Sequence, residues 1–156
     1  MRLYKLDKTV FSIQNNPAQF LNGLTSNTLD KPQNSFLNIH GRVIATFEQA
    51  QISDNEFWIV LEQCSIDALL QHLNRHILLS KVNVEKLNKH VYFDLEDSAN
   101  AVPAQALVIP QKKGRVIISD HILETTVSQE AFTFFRLKNA IPVHGIDYAD
   151  EFVLNI

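Results

Sequence analysis

Apolar residues recur along this chain with two different periods. From Ile66 to Leu79 they keep the 3.6-residue spacing of one helix face, and Ser65 stands where an N-terminal cap belongs. From Phe57 to Leu61 five apolar residues follow one another, which is typical of a strand at the centre of a sheet. The pattern therefore predicts a domain that combines helices with a sheet.

An early stretch of the chain combines a short helix with a hairpin. Asn16 and Pro17 suit the cap and the first position of a helix that ends near Gly23. A tight turn at Gly41 is expected to join two strands, predicted over residues 35–39 and 42–52. Further strands are predicted over residues 2–6, 9–13, 82–87, 90–95, 106–109 and 115–118.

The polar turn Thr25-Ser26-Asn27 lies between the short helix and the hairpin. Its side-chain oxygens can accept hydrogen bonds from the backbone groups that the helix end leaves unpaired. A helix end set against a hairpin is expected to form a groove with a polar lip. A flat small molecule would fit such a groove.

A four-residue sequence occurs twice in the chain. Gly41-Arg42-Val43-Ile44 recurs as Gly114-Arg115-Val116-Ile117, each time at a predicted hairpin turn and each time ahead of a capped helix. Residues 97–103 are small and polar, which is typical of a boundary. The chain is therefore interpreted either as one domain over 1–156 or as a domain divided into modules 1–96 and 104–156.

The last predicted helix begins after Ser128 and runs to about Asn139, because Pro142 stops it. Its apolar residues Ala131, Phe134 and Phe135 are expected to share the buried face. Arg136 on the same helix has two interpretations, pairing with a carboxylate or lying on the surface beside neighbouring aromatic rings.

Charge and cysteine content narrow the function classes. The net charge of −3 gives no electrostatic footprint for nucleic acid, and the basic run 112–115 is interpreted as a solvated hairpin tip. The single Cys64 excludes an internal disulfide and fits a reducing cytosol. No apolar run of 18 residues and no apolar leader is present, so a cytoplasmic protein without a membrane span is expected.

Few residue patterns suggest chemistry on their own. His72 and His76 stand at i and i+4 of the strongest helix, but no HExxH pattern accompanies them, so surface histidines are favoured over a metal site. Cys64 is interpreted as a small buried residue rather than a reactive thiol. The chain contains no glycine-rich nucleotide loop, no GxSxG and no paired CxxC. No catalytic residue and no metal ligand is assigned.

Four segments, in this order, resemble the family of folate-binding aminomethyltransferase-like proteins: FLNGLTSNTLD, FLNIHGRVIATFEQAQI, LLSKVNVE and FFRLKNAIPVHGIDYADEFVLNI. The resemblance is closer to the YgfZ branch, linked to iron–sulfur protein maturation, than to the glycine-cleavage T protein. It implies an α+β architecture of two intertwined antiparallel-sheet modules with helices packed on them. It also implies tetrahydrofolate as the ligand. Carried over by position, the folate-binding residues are Thr25, Asn27, Arg42 and Arg136.

This sequence departs from the family pattern at two places. The T protein carries acidic residues on the strand after the hairpin turn, where this chain has Ala45 and Thr46, so aminomethyl transfer loses its acid–base group. The YgfZ branch carries a Lys-Gly-Cys-aromatic-x-Gly-Gln-Glu motif, and this chain stops just short of it. The chain is either a naturally shortened homologue or one whose missing part is supplied elsewhere, and Cys64 cannot stand in for that motif.

The resemblance leads to one favoured function and one alternative. The favoured function is a cytoplasmic tetrahydrofolate-binding protein that supports assembly or repair of iron–sulfur proteins, without aminomethyltransferase turnover. Its expected partners are folate and iron–sulfur client or assembly proteins. The alternative is a degenerate family member that acts as a protein-interaction domain without a ligand. A one-carbon transferase is the least favoured function.

Overall fold

A computed structural model describes residues 1–96, 103 and 105–143 of the chain. Within them, nine strands form two sheets, and three helices accompany the sheets. The strands are β1 (Leu3–Lys5), β2 (Lys8–Gln14), β3 (Gln33–Leu37), β4 (Val43–Ser53), β5 (Glu56–Glu62), β6 (Asn83–Leu87), β7 (His90–Asp94), β8 (Leu107–Pro110) and β9 (Arg115–Ser119). The helices are α1 (Pro17–Asn22), α2 (Ile66–Ser80) and α3 (Gln129–Lys138).

Both sheets are antiparallel, and their strands are interleaved along the chain. One sheet has the order β3-β4-β5-β2-β6, with the apolar β5 at its centre, as predicted. The other has the order β1-β7-β9-β8. Its strands β1 and β7 are paired, although all five strands of the larger sheet lie between them in the sequence. The expected α+β class with two intertwined antiparallel sheets is confirmed.

The four-stranded sheet also spans the predicted boundary between modules. Strands β1 and β7 come before residues 97–103, and β8 and β9 come after them. Residues 97–102, 104 and 144–156 lie outside the described part. These residues make up most of the predicted boundary and most of the tail after Pro142. The division into modules 1–96 and 104–156 therefore stays a prediction.

Strand alternation gives the five-stranded sheet two different apolar faces. One face carries Phe11, Ala45 and Ile59 and packs in a cluster with residues of α1 and α2. The opposite face carries Val10 and Val60, which share a second cluster with the four-stranded sheet and α3. The two sheets are thus joined by one core, while α1 and α2 cover the outer face of the larger sheet.

At two of the three predicted helix caps, the side chain does not make the expected hydrogen bond. Ser65 and Asn16 occupy the N-cap positions of α2 and α1, but neither side chain makes a capping hydrogen bond. The reason is local: a 3₁₀ turn over Gln63–Ser65 leads into α2, and Asn16 adopts a left-handed backbone (φ 57°). Ser128 does cap α3, because its Oγ accepts a hydrogen bond from Ala131 N at 3.1 Å.

The buried face of α3 is not the predicted one. Phe132 and Arg136 are buried, whereas Phe134 is 68% exposed. Phe132 stacks on Tyr4 with ring centroids 4.2 Å apart, and its ring also lies near Phe93. The predicted face of Ala131, Phe134 and Phe135 is therefore wrong for Phe134, because the helix is rotated to bring Phe132 into the core.

Cys64 also differs from its predicted environment. It lies in the 3₁₀ turn ahead of α2 and is exposed, so it is not the small buried residue expected. No helix in the described part of the chain is long and apolar enough to cross a membrane.

Candidate functional site

The polar turn after α1 is held against strand β3 by Asn34. Thr25 Oγ donates a hydrogen bond to Leu21 O at 2.7 Å and accepts one from Asn34 Nδ2 at 3.1 Å. The backbone N–H of Asn27 donates to Asn34 Oδ1 at 2.8 Å. The structure therefore brings Thr25 and Asn27, two of the four predicted folate-binding residues, together around one buried amide.

A second buried amide, Gln49 on β4, extends this support to the rest of the loop. Its Oε1 accepts from Asn34 Nδ2 at 3.2 Å, and its Nε2 donates to the carbonyls of Thr28 at 3.0 Å and Lys31 at 2.8 Å. Asn34 and Gln49 are only 4% and 3% exposed, so both amides are satisfied inside the protein. The 25–31 loop is thus anchored by two residues that the sequence pattern does not single out.

The two predicted arginines lie in other parts of the fold. Arg42 follows Gly41 in the β3–β4 turn, where its backbone N–H donates to Asn38 Oδ1 at 3.0 Å. Arg136 is buried on α3, and its Nη1 donates to the carbonyl of Ile141 at 3.1 Å. Arg136 is therefore not a surface arginine, and its contact with Ile141 is to a backbone carbonyl rather than to a carboxylate. The folate-binding assignments of all four residues stay predictions.

Strand β4 carries the two residues at which the family resemblance places acidic groups. Ala45 is fully buried in the apolar cluster beneath α1 and α2. Thr46 is the next residue along the strand, so it faces the opposite side of the sheet. Neither side chain can exchange a proton near neutral pH as a carboxyl group does.

Carboxylates are nevertheless present on the Thr46 side of the sheet. Glu48 follows Thr46 by two residues on β4, and its Oε1 lies 2.7 Å from Lys8 Nζ on β2. Glu62 at the end of β5 reaches the same ammonium, with Oε1 at 3.2 Å. The side chains of Lys8, Glu48 and Glu62 are 12%, 11% and 17% exposed, so this charge cluster is largely buried.

Burial and the attraction between opposite charges act against each other on the pKa values of Lys8 and Glu62. Burial would lower the pKa of Lys8, but the charges and hydrogen bonds of Glu48 and Glu62 outweigh burial and raise that pKa. Burial is the largest influence on Glu62 and raises the pKa of its carboxyl above the ordinary value, in spite of Lys8. Glu62 thus holds its proton to a higher pH than an ordinary glutamate does.

Glu62→Gln is expected to make stability less dependent on pH. A group whose pKa is higher in the folded state contributes stability that is complete below its unfolded pKa and is lost as pH rises through its folded pKa. The wild type should therefore lose free energy of unfolding, relative to Glu62→Gln, as pH rises from about 4.5 toward 7.5. Urea unfolding of both proteins across this range measures the difference.

Glu56→Gln is the control with the opposite sign. Hydrogen bonds from Ser12 and Trp58 lower the pKa of Glu56, so the stability that this carboxylate contributes is lost as pH falls below about 4.5. Parallel pH profiles for wild type and Glu62→Gln would contradict the assignment of the raised pKa to Glu62.

The two histidines of α2 lie next to each other on the helix. The rings of His72 and His76 are 5.8 Å apart, and burial together with the neighbouring His76 lowers the pKa of His72. Within residues 1–96, 103 and 105–143, no three side chains of His, Cys, Asp or Glu are grouped as a metal site would require.

The two interleaved antiparallel sheets give the chain an aminomethyltransferase-like α+β fold. Its similarity to solved structures extends to 21 chains. Among them is the glycine cleavage system aminomethyltransferase T from Bartonella henselae, with a TM-score of 0.71 and 12% sequence identity. The match covers 95% of this chain and 53% of that chain, so this chain spans about half the length of that neighbour.

Sequence comparison gives no corresponding match. No protein-family model matches the chain, and no curated protein matches it. At 12% identity, the structural likeness establishes the aminomethyltransferase-like fold alone.

Proposed function

We propose that this chain is a cytoplasmic tetrahydrofolate-binding protein of the YgfZ-like class that supports the assembly or repair of iron–sulfur proteins. The observation that carries the proposal is the likeness to an aminomethyltransferase T over 95% of the chain. The four-segment resemblance in the sequence supports the same family independently, because it depends on residue identities and their order rather than on the fold. Folate is the ligand implied by that resemblance.

The residues of strand β4 argue against aminomethyl transfer as the activity. Ala45 is buried in the core, and Thr46 offers a hydroxyl in place of a carboxylate. A hydroxyl side chain is not ionised at neutral pH and cannot take over general acid–base catalysis from a carboxylate. We therefore assign the chain a binding role without turnover.

The polar turn is the proposed place for the pterin edge. Because Asn34 and Gln49 already anchor the turn, a ligand that meets Thr25 and Asn27 would order few additional side chains on binding. The exposed Asn27 amide donates to Gln33 O at 3.2 Å, a bond that it can exchange for a ligand acceptor. One of the two predicted arginines, Arg42 or the more buried Arg136, is proposed to bind the glutamate tail of folate.

A binding titration with matched variants tests this assignment. Arg42→Gln should weaken tetrahydrofolate binding about tenfold or more, since a hydrogen bond to a charged group contributes about 1.5 to 3 kcal/mol. Arg75→Gln, which removes an exposed arginine from α2, is the control and should bind like the wild type. Equal affinity in all three proteins would remove Arg42 from the site.

The iron–sulfur role needs a separate measurement in cells. Deletion of the gene should lower the activity of iron–sulfur enzymes, and the wild-type chain should restore it better than Arg42→Gln does. If a variant that no longer binds folate restores the full activity of these enzymes, the cellular role does not depend on folate binding.

One observation favours the alternative of a protein-interaction domain. Phe134 and Leu137 stand three residues apart on α3 and are 68% and 71% exposed. Exposed apolar residues on one helix face are typical of a contact surface. A monomeric mass in light scattering, together with no binding of an apolar dye, would argue against this alternative.

A further inference from the structure

We propose that His72 and His76 of α2 form a chelating site for a divalent transition-metal ion such as Zn²⁺. The two residues stand at i and i+4 of the helix, so their side chains lie on the same side of it. Two histidines with this spacing on one helix face are able to bind a single zinc ion. The sequence gives the spacing, but only the structure gives the separation of the two rings.

The two imidazole rings are close enough for both to bind one ion. Their centroids are 5.8 Å apart. Zinc–nitrogen bonds are about 2.0 to 2.1 Å long, so two rings on one ion have centroids roughly 4.5 to 5.2 Å apart. A movement of each ring by less than about 1 Å therefore brings both nitrogens to the ion.

The helix that carries the pair is fixed to the protein core. Leu69 and Leu73 are 0% and 3% exposed, and they pack in the apolar cluster on the outer face of the five-stranded sheet. Both histidines are themselves half-buried, so their side chains have lost part of their freedom before an ion binds. Side chains that are already restricted lose less entropy on binding.

The chemistry of the pair determines the class of ion. Imidazole binds metals in its neutral form, and burial together with the neighbouring His76 lowers the pKa of His72, which favours that form. Imidazole nitrogen suits Zn²⁺, Ni²⁺ and Cu²⁺, whereas Mg²⁺ and Ca²⁺ prefer oxygen ligands. Since no third protein ligand joins the pair within the described ranges, water completes the coordination of the ion. This site does not depend on the proposed folate function.

A titration with zinc chloride, followed by NMR of the histidine ring protons, tests the site. All proteins carry Cys64→Ser, because an exposed thiol also binds zinc. The ring resonances of His72 and His76 should shift together and saturate with one dissociation constant. His76→Asn should weaken binding at least about tenfold, since the second imidazole of a chelate binds at a high effective concentration. His40→Asn removes an exposed histidine from the β3–β4 turn and should leave the affinity unchanged.

A double variant that exchanges two residues of α2 is the matched control. Asn74→His/His76→Asn keeps the number of histidines but places them at i and i+2, where they do not face each other. It should bind zinc as weakly as His76→Asn does. Wild-type chemical shifts elsewhere in the chain confirm that the double variant is folded.

Two results would overturn the proposal. One is that the rings of His72 and His76 show no common saturation at zinc concentrations up to about 1 mM. The other is wild-type affinity in Asn74→His/His76→Asn, which would show that zinc binds to single histidines rather than to the pair.

Discussion

Gly114→Ala is expected to destabilise the protein by about 4 kcal/mol. A Cβ atom at Gly114 would lie 2.5 Å from Phe93 Cε1 and 2.6 Å from the carbonyl oxygen of Asp94. Phe93 packs in the core against Phe132, so its ring has little room to move away. Overpacking of this kind costs about 1 to 3 kcal/mol, and the left-handed backbone at Gly114 (φ 76°) adds about 1 to 2 kcal/mol.

Gly41→Ala is the matched control for Gly114→Ala. Gly41 begins the first copy of the Gly-Arg-Val-Ile repeat and has nearly the same backbone angle (φ 78°), but a Cβ atom there would meet no heavy atom within 4 Å. We therefore expect Gly41→Ala to lose only the backbone contribution, about 1 to 2 kcal/mol. Chemical denaturation measures both losses, and equal losses would show that the close approach to Phe93 does not matter.

Asp94→Ala should be the next most damaging change, with a loss of about 3 to 4 kcal/mol. The Asp94 side chain is fully buried, and its Oδ2 accepts from Arg115 Nε at 2.9 Å. Its Oδ1 accepts from the backbone N–H groups of Arg2 and Glu96, both at 3.0 Å. Removal of one member of a buried ion pair costs about 3 to 5 kcal/mol, because the other charge stays in the interior without it.

Two further variants separate the charge effect from the loss of packing. In Asp94→Ala/Arg115→Met the buried positive charge is also removed, so the double variant should be more stable than Asp94→Ala. Asp120→Ala breaks the more exposed pair with Lys89 and should change the unfolding midpoint little. A double variant that is less stable than Asp94→Ala would contradict this explanation.

Local signals in the sequence predict most of the elements. The apolar run 57–61 predicts a central strand and is β5, and the periodic segment after Ser65 is α2. Gly41 and Gly114 are both predicted at hairpin turns, and both have the left-handed backbone that such turns require. These predictions succeed because each depends on residues that are close together in the sequence.

The face of α3 could not be chosen from its pattern. Ala131, Phe134 and Phe135 have the spacing of one helix face, but Phe132, Phe135 and Arg136 have the same spacing. Arg136 makes the second face look polar, although its guanidinium donates to the Ile141 carbonyl and the residue is buried. The choice depends on the rings of Tyr4 and Phe93, which come from distant strands.

Most of the candidate site also cannot be predicted from residues that are close together in the sequence. The polar turn can be identified from its own residues, but its anchors Asn34 and Gln49 cannot, since buried amides look like surface residues in a sequence. Lys8 and Glu48 are 40 positions apart, and only the strand register brings them together with Glu62. Charges at strand ends look solvent-exposed until that register is known.

A thermal-shift titration with tetrahydrofolate tests the central claim most directly, with free pterin and free glutamate as controls. At about a hundredfold excess over the dissociation constant, binding to the native state adds about 2.7 kcal/mol. Each kcal/mol moves the midpoint of a chain this size by about 2 to 4 °C, so a saturable rise of at least about 5 °C is predicted with tetrahydrofolate. A cooperative unfolding transition that tetrahydrofolate does not shift would contradict the folate-binding function.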